Sequence, residues 1–456
     1  MITLIPEPSN RLTWMAVMLT SLLMLSACGG GGGGSSAPPS PIDNGGGSGG
    51  DGGGDDGSGD GGSGGDGGGD DGSGDGGSGD NGGTLTGDDA RRAVLSDISE
   101  QIILPSLQDF ETQATAMETA VAEYAAAPAD ESLRDAARAA WSNAMDSWQH
   151  NEVLQIGPAG RSQNPDAVLG GQDFRELIYS WPFTLDTCGL ETAASNGDAV
   201  DGTTSIDITG LGALEYMLFT DAASESCSDQ PDTAARAAHS ERLAARIVVL
   251  ADSLENRWNS AGGNYVNQWN TAGDGSVTYA TPQDALDALS IAMFYVEKET
   301  KDRKVGLTTG VGATGLTCGN PSSCPEFLES RLSNRSGENL AANFETLRDL
   351  FTGTNGGMGV NDLLIGIDRE DLATKVIAEI DIVLASIAAI ESDTGFEAAV
   401  EAIADRNECV NAFSNSTGLA PCALLGEMKT ALDTFRIDIV GALSLAIPDS
   451  AAGDND

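Results

Sequence analysis

A single carboxylate interrupts the apolar decapeptide GLGALEYMLF at Gly210–Phe219. At 3.6 residues per turn Leu211, Leu214, Leu218 and Phe219 share one helix face, and Glu215 points into the middle of it. The conflict recurs in WSNAMDSWQHNE. There Trp141, Met145 and Trp148 form an apolar stripe, and Glu152 falls on that stripe four residues after Trp148. An ionised carboxylate buried without a partner costs several kcal/mol or more, so both positions require compensation. Two kinds of partner are open. A buried arginine would make an ion pair that holds two packed elements in register. Alternatively, Glu215, alone or beside Glu152 and Glu329, would ligate a hard cation or a cation-bearing molecule. Carboxylate oxygens suit Ca²⁺, Mg²⁺ and ferric iron better than zinc. Glu329 lies in ESRLS, Glu329–Ser333, where Arg331 and Ser333 offer a different role, a hydrogen-bonding hub between elements.

Other chemistries are poorly supplied. The chain has two histidines. His150 lies on the face of its helix opposite the tryptophan stripe and is expected to be exposed. His239 precedes Leu243, Ile247, Leu250 and Leu254 on an apolar face, the setting of a structural histidine. HExxH and the phosphate-binding GxxxxGK[ST] are missing from the sequence, and GxSxG occurs only as GGSGG within the Gly/Ser-rich residues 29–84, not as a nucleophile elbow. The glycines of GLTTGVGATG (Gly306–Gly315) lack the preceding strand that a dinucleotide site needs and read as loop. Trp181-Pro182 is expected to close a turn and pack in the core.

The elements that must position these residues are helices. From Leu85 onward alanine and leucine recur at helical spacing, with little period-two alternation. Helices are predicted over 88–126, 131–154, 172–180, 208–220, 231–260, 282–304, 326–352, 368–392, 395–408 and 421–446. Gly- and Asn-rich stretches at Ser260–Gly275, Gly306–Pro325 and Gly353–Gly359 read as loops. The expected fold is all-α: two antiparallel helical-bundle domains, 85–265 and 266–450, divided near 260–280.

The preceding residues follow different rules. Residues 1–28 read as an export signal: Arg11 is followed by the apolar run WMAVMLTSLLMLSAC, too short for a comfortable membrane span. Leu25-Ser26-Ala27-Cys28 resembles a lipobox, which makes Cys28 the expected lipid attachment point. Gly29, rather than aspartate, follows it and favours the outer membrane. Residues 29–84 are Gly, Asp and Ser with almost no apolar side chains, a composition expected to stay disordered. As a Gly-rich coil this tether would span on the order of 40 Å.

Six further cysteines, Cys188, Cys227, Cys318, Cys324, Cys409 and Cys422, read as three disulfides in an exported chain. Pairing of nearest neighbours is expected among the 15 possible connectivities. The net charge is −46, of which the tether supplies ten aspartates, so the folded part is itself strongly acidic. That excludes nucleic acid as a partner and favours cations or basic surfaces.

Four segments in this order, ARAAWSNAMDSWQHNEVLQIGPAG, LIYSWPFTLDTC, GLGALEYMLF and CPEFLESRLSNRS, resemble the landmarks of the imelysin-like proteins, also called insulin-cleaving metallopeptidases. The resemblance spans residues 88–446. It implies two helical bundles with a site near their contact, an exported or outer-membrane location and a link to iron. The family hallmark is Gly-x-His-x-x-Glu. Gly210 and Glu215 match its ends, but Gly212 stands at the histidine position. A histidine and a glutamate three residues apart can ligate one metal, whereas glycine offers no side chain. The resemblance therefore points to an outer-membrane lipoprotein, facing the periplasm or the surface, that binds iron or an iron-bearing ligand. A metallopeptidase and a non-catalytic surface interaction protein are the alternatives.

Overall fold

A computed structural model describes residues 87–163, 167–182, 185–312, 318, 322–410 and 418–448. Cys28, the export signal and the 29–84 tether lie outside the described residues. The described residues belong to one compact unit of helices and loops, with no strand among them.

Helix α1 (Gly87–Ile98) runs through a π-helical turn, Ser99–Ile103, into α2 (Leu104–Ala126). A tight turn reverses the chain into α3 (Glu131–Glu152), whose start is fixed by Asp130: its carboxylate accepts the Ser132 N–H at 3.0 Å. Short helices follow, α4 (Phe174–Ile178), α5 (Thr187–Asn196) and α6 (Gly210–Phe219), before the long α7 (Thr233–Trp258). Helices α2, α3, α6 and α7 pack on one another. Trp141 seals the α3–α6 contact by donating its indole N–H to the Leu211 carbonyl at 3.0 Å.

After α8 (Tyr265–Asn270), α9 (Pro282–Met293) opens on a capping box between Thr281 and Asp284 and runs into a π-helical segment, Val296–Leu307. Next come α10 (Ser336–Thr352), α11 (Val360–Ile365), α12 (Glu370–Asp393), α13 (Phe396–Glu401), α14 (Arg406–Val410) and α15 (Ala420–Asp433). The chain then passes through a second long π turn, Thr434–Ile439, into α16 (Val440–Leu443). Helices α10, α12 and α15 form a second packed set, and α3 lies against α10. One hydrophobic core runs from Ala90 to Leu445 through both sets.

The expected helices are present with four informative differences, the first being that 395–408 is two short helices, α13 and α14, broken at Ala402–Asp405. The 326–352 helix begins only at Ser336, because Ser330 (φ 47°) and Asn334 (φ 60°) adopt left-handed backbone that a helix cannot continue through. The 260–275 loop contains α8, held by an indole N–H···O bond from Trp269 to Leu95 and an aromatic group of Trp258, Tyr265, Trp269 and Tyr279. Helices α5 and α11 lie in stretches whose short apolar pattern gave no helix signal. The disulfides join Cys188–Cys227, Cys318–Cys324 and Cys409–Cys422, the nearest-neighbour pairing.

Candidate functional site

The tryptophan stripe of α3 carries Glu152 into the interior as the helix phase requires, and the carboxylate is wholly buried. Four donors converge on it. Trp148 Nε1 (3.3 Å) and Arg175 (3.2 Å) reach Oε1, while Lys304 Nζ (3.1 Å) and the Tyr295 hydroxyl reach Oε2. Arg175 comes from α4; Tyr295 and Lys304 come from the start and interior of the π segment. Burial opposes ionisation of Glu152, but Lys304 and Arg175 outweigh it and hold the carboxyl below its usual range.

Lys304 also faces Glu329 at 2.8 Å, Gln149 Oε1 at 2.7 Å and Asn343 Oδ1 at 2.9 Å. Its three protons are thus shared among four acceptors at a depth where the lysine is 2 % exposed. Gln149 donates in turn to Glu329 at 3.0 Å, and Asn343 donates to the Gln149 carbonyl at 2.8 Å. Burial, with Lys304 pulling against it and Glu152 reinforcing it, raises Glu329 above the usual range. Trp181 and Tyr295 place their rings 5.6 and 5.7 Å from the same ammonium. The cation between Glu152 and Glu329 is therefore part of the protein.

Glu215 is buried too, but its compensation differs. One oxygen accepts from the Ser333 backbone N–H at 2.9 Å and from the Ser333 hydroxyl at 2.8 Å. Burial lifts its pKa to about 7 against these two bonds, with nearby Glu329 adding to the rise. Among the described residues no arginine pairs with Glu215, and Arg331, half exposed, points toward Glu401 at 3.9 Å. Of the two residues expected to make ESRLS a hub, Ser333 bonds across to Glu215, whereas Arg331 faces Glu401 at the surface.

Tyr179 stands between these groups. Burial and then Glu329, Glu152 and Glu215 push its hydroxyl well above the usual range, so it stays a neutral phenol bonded to Ser330. Position 212 faces this ring, since a Cβ on Gly212 would lie 3.6 Å from Tyr179 Cε2. Gly210 has a stricter requirement. At φ 79° a Cβ would approach the Ile178 carbonyl oxygen to 2.5 Å, so α6 can start here only on glycine.

Of the three acids singled out, Glu152 and Glu329 share one ammonium and Glu215 sits apart on Ser333. Among the described residues no group of three or more His, Cys, Asp or Glu side chains is arranged to hold a metal ion. A bare cation at Glu152 and Glu329 would have to displace Lys304, so this donor set does not fit one. The histidines divide as well. His239 is buried as expected, and burial, then Arg242, lowers its pKa to about 4. His150 is half-buried rather than exposed, with Nδ1 3.1 Å from the Thr346 hydroxyl. Lys304, Arg175, Tyr295, Gln149 and Asn343 were not visible as site residues. The one usable signal is that Glu297, Lys301 and Lys304 recur at spacings of four and three, on one face of an apparent surface charge run.

The Imelysin family model matches residues 103–417. Iron-regulated protein A of Synechococcus elongatus is 28% identical over 183 residues, 40% of this chain and 45% of that protein, so the match spans less than half of the curated relative. Two solved structures share the fold. A candidate iron-regulated protein A precursor from Parabacteroides distasonis superimposes with a TM-score of 0.58 at 17% identity, covering 80% of this chain and 97% of that one. An imelysin-like protein from Psychrobacter arcticum gives 0.56 at 13% identity, covering 79% and 98%. With the family model matching more than half of its length, this all-α chain belongs to the imelysin family.

Proposed function

We propose that this imelysin-family protein is a binding protein of iron acquisition, anchored to the outer membrane through Cys28 and the 29–84 tether. We further propose that it takes iron as a chelate rather than as a bare ion. The iron link rests on the family and on a relative named for regulation by iron. The preference for a chelate rests on one observation: Lys304 fills the place between Glu152 and Glu329. Those two acids are already neutralised, and a site with its own cation gains nothing from a second. The same charge balance, with Gly212 at the motif histidine, disfavours a metallopeptidase.

Two measurements test this reading. Purified protein should retain iron after equilibrium dialysis against ferric citrate and retain neither Fe²⁺ nor Ca²⁺ offered as simple salts. Stoichiometric uptake of a bare cation, lost in Glu215→Gln, would overturn the chelate reading. In iron-poor medium, a strain lacking the gene should accumulate less radioactive iron from ferric citrate than the complemented strain. Equal accumulation would remove the role in acquisition.

A further inference from the structure

A cleft opens beside the buried network, between the Gln155–Glu176 stretch and the residues from Ile291 to Arg303. Its cavity volume is about 130 Å³, room for a small ligand rather than a drug-sized one, and it opens to solvent at its mouth. Basic side chains are concentrated here. Four of the chain's 23 lysines and arginines, Arg161, Arg175, Lys298 and Arg303, line it against two acids, Glu176 and Glu299. With the paired acids Glu152 and Asp302 counted, the four cations are balanced by four acids, so what the cleft offers an anion in a chain of net charge −46 is a cluster of donors without net negative charge.

The cations are graded by depth. The Arg303 side chain is 48% exposed at the mouth, Arg161 and Lys298 are 30% and 25% exposed, and Arg175 on the floor is 4% exposed. Each is held in place by an acid of the chain: Arg303 by Glu299 at 3.1 Å, Arg161 by Glu176 at 2.6 Å, Lys298 by Asp302 at 3.7 Å and Arg175 by Glu152 at 3.2 Å. These pairs orient the groups without using all the donors of a guanidinium, which has five. Arg175 Nε is buried with no hydrogen-bond partner, an orphaned donor at the floor of the cleft. Val168, Ile291 and Pro448 supply an apolar wall.

We infer that this cleft binds a small organic polycarboxylate, its carboxylates on Arg303, Lys298, Arg161 and Arg175 and its carbon skeleton on the apolar wall. Arginine forks match carboxylates in bidentate geometry, and the apolar wall favours such a ligand over an inorganic anion. The inference deepens the chelate reading, because a polycarboxylate is a ligand that carries ferric iron as an anion. The floor residues Arg175 and Tyr295 both bond to Glu152, so an occupant would touch the shell of the buried network directly.

Calorimetric titration of the full chain with iron-free citrate at low ionic strength tests the site independently of iron. Saturable binding is expected, weakened by added salt as the Debye length shortens. Arg303→Glu should weaken it about tenfold or more, a change of ~1.4 kcal/mol. Arg348→Glu, on α10 and outside the cleft, should leave it unchanged. Arg303 is exposed enough for the variant to fold, and a urea melt matching the wild type checks this. Absence of saturable binding, unchanged affinity in Arg303→Glu, or inorganic phosphate binding as tightly as citrate would each overturn the inference. Citrate binding without any effect of gene loss on iron accumulation would keep the site and discard the acquisition role. An iron phenotype without citrate binding would do the reverse.

Discussion

Lys304 Nζ lies 3.1 Å from Glu152 Oε2, joining the π-helical segment to the C-terminal turn of α3 by an ion pair with both partners at most 2% exposed. It decides how the interior acids are read. A buried pair of this kind contributes little against a well-packed apolar substitute, but breaking one side of it is expensive. Here the remaining side would be two carboxylates, Glu152 and Glu329, with Arg175 still paired to Glu152.

Lys304→Met should therefore cost about 3–5 kcal/mol in urea unfolding. Glu152→Gln combined with it should cost less than the sum of the single changes, because the two groups share one interaction. A Lys304→Met protein that melts within about 1 kcal/mol of wild type would mean that the network is open to water and that its acids are available to a metal.

The peptidase alternative makes a direct claim about activity. With Gly212 at the motif histidine and Glu215 on Ser333, the purified protein should not cleave insulin chain or casein above background. Cleavage that requires added metal, stops on chelation and is lost in Glu215→Ala would establish an enzyme and reverse the preference for a binding protein.

The anchor is tested separately, since Cys28 lies outside the described residues. Cys28→Ser should move the protein from the membrane fraction to the soluble fraction after cell lysis. None of the described helices is long and apolar enough to cross a membrane. A mutant still found with membranes through an uncleaved leader would remove lipidation from the reading.

What the sequence could and could not reveal divides along chain distance. The burial of Glu152 and Glu215 followed from the periodicity of their own helices, a local property, and the cysteines paired with their nearest neighbours along the chain. The partners of the acids did not follow. Lys304 lies 152 residues from Glu152 inside KETKDRK, which resembles a solvated face until the π turn directs it inward. Arg175 lies in a helix of five residues, too short to show a face. The ESRLSNRS stretch was extended into a helix because its side chains permit one. The left-handed backbone at Ser330 and Asn334 is set by tertiary contacts, among them the Ser333 bonds to Glu215.

Glu215 supplies the sharpest pH prediction. In the unfolded chain it titrates near 4.5, and burial lifts it to about 7 in the fold. Below both values the carboxyl is protonated in either state and contributes no pH dependence. Between them the folded chain keeps a proton that the unfolded chain releases, so stability falls as pH rises through this window. Above about 7 the fold carries the full cost of an ionised buried acid, roughly 3 kcal/mol from the separation of the two values. Glu215→Gln removes that titration while its amide oxygen can still accept the two Ser333 bonds. The variant should therefore gain on the wild type by about 3 kcal/mol between about pH 4 and about pH 8. Urea melts of both proteins across this range measure the difference directly and cancel the titration of distant groups. A difference that stays flat with pH would show that Glu215 titrates as an ordinary solvated carboxylate and that water reaches it past Ser333.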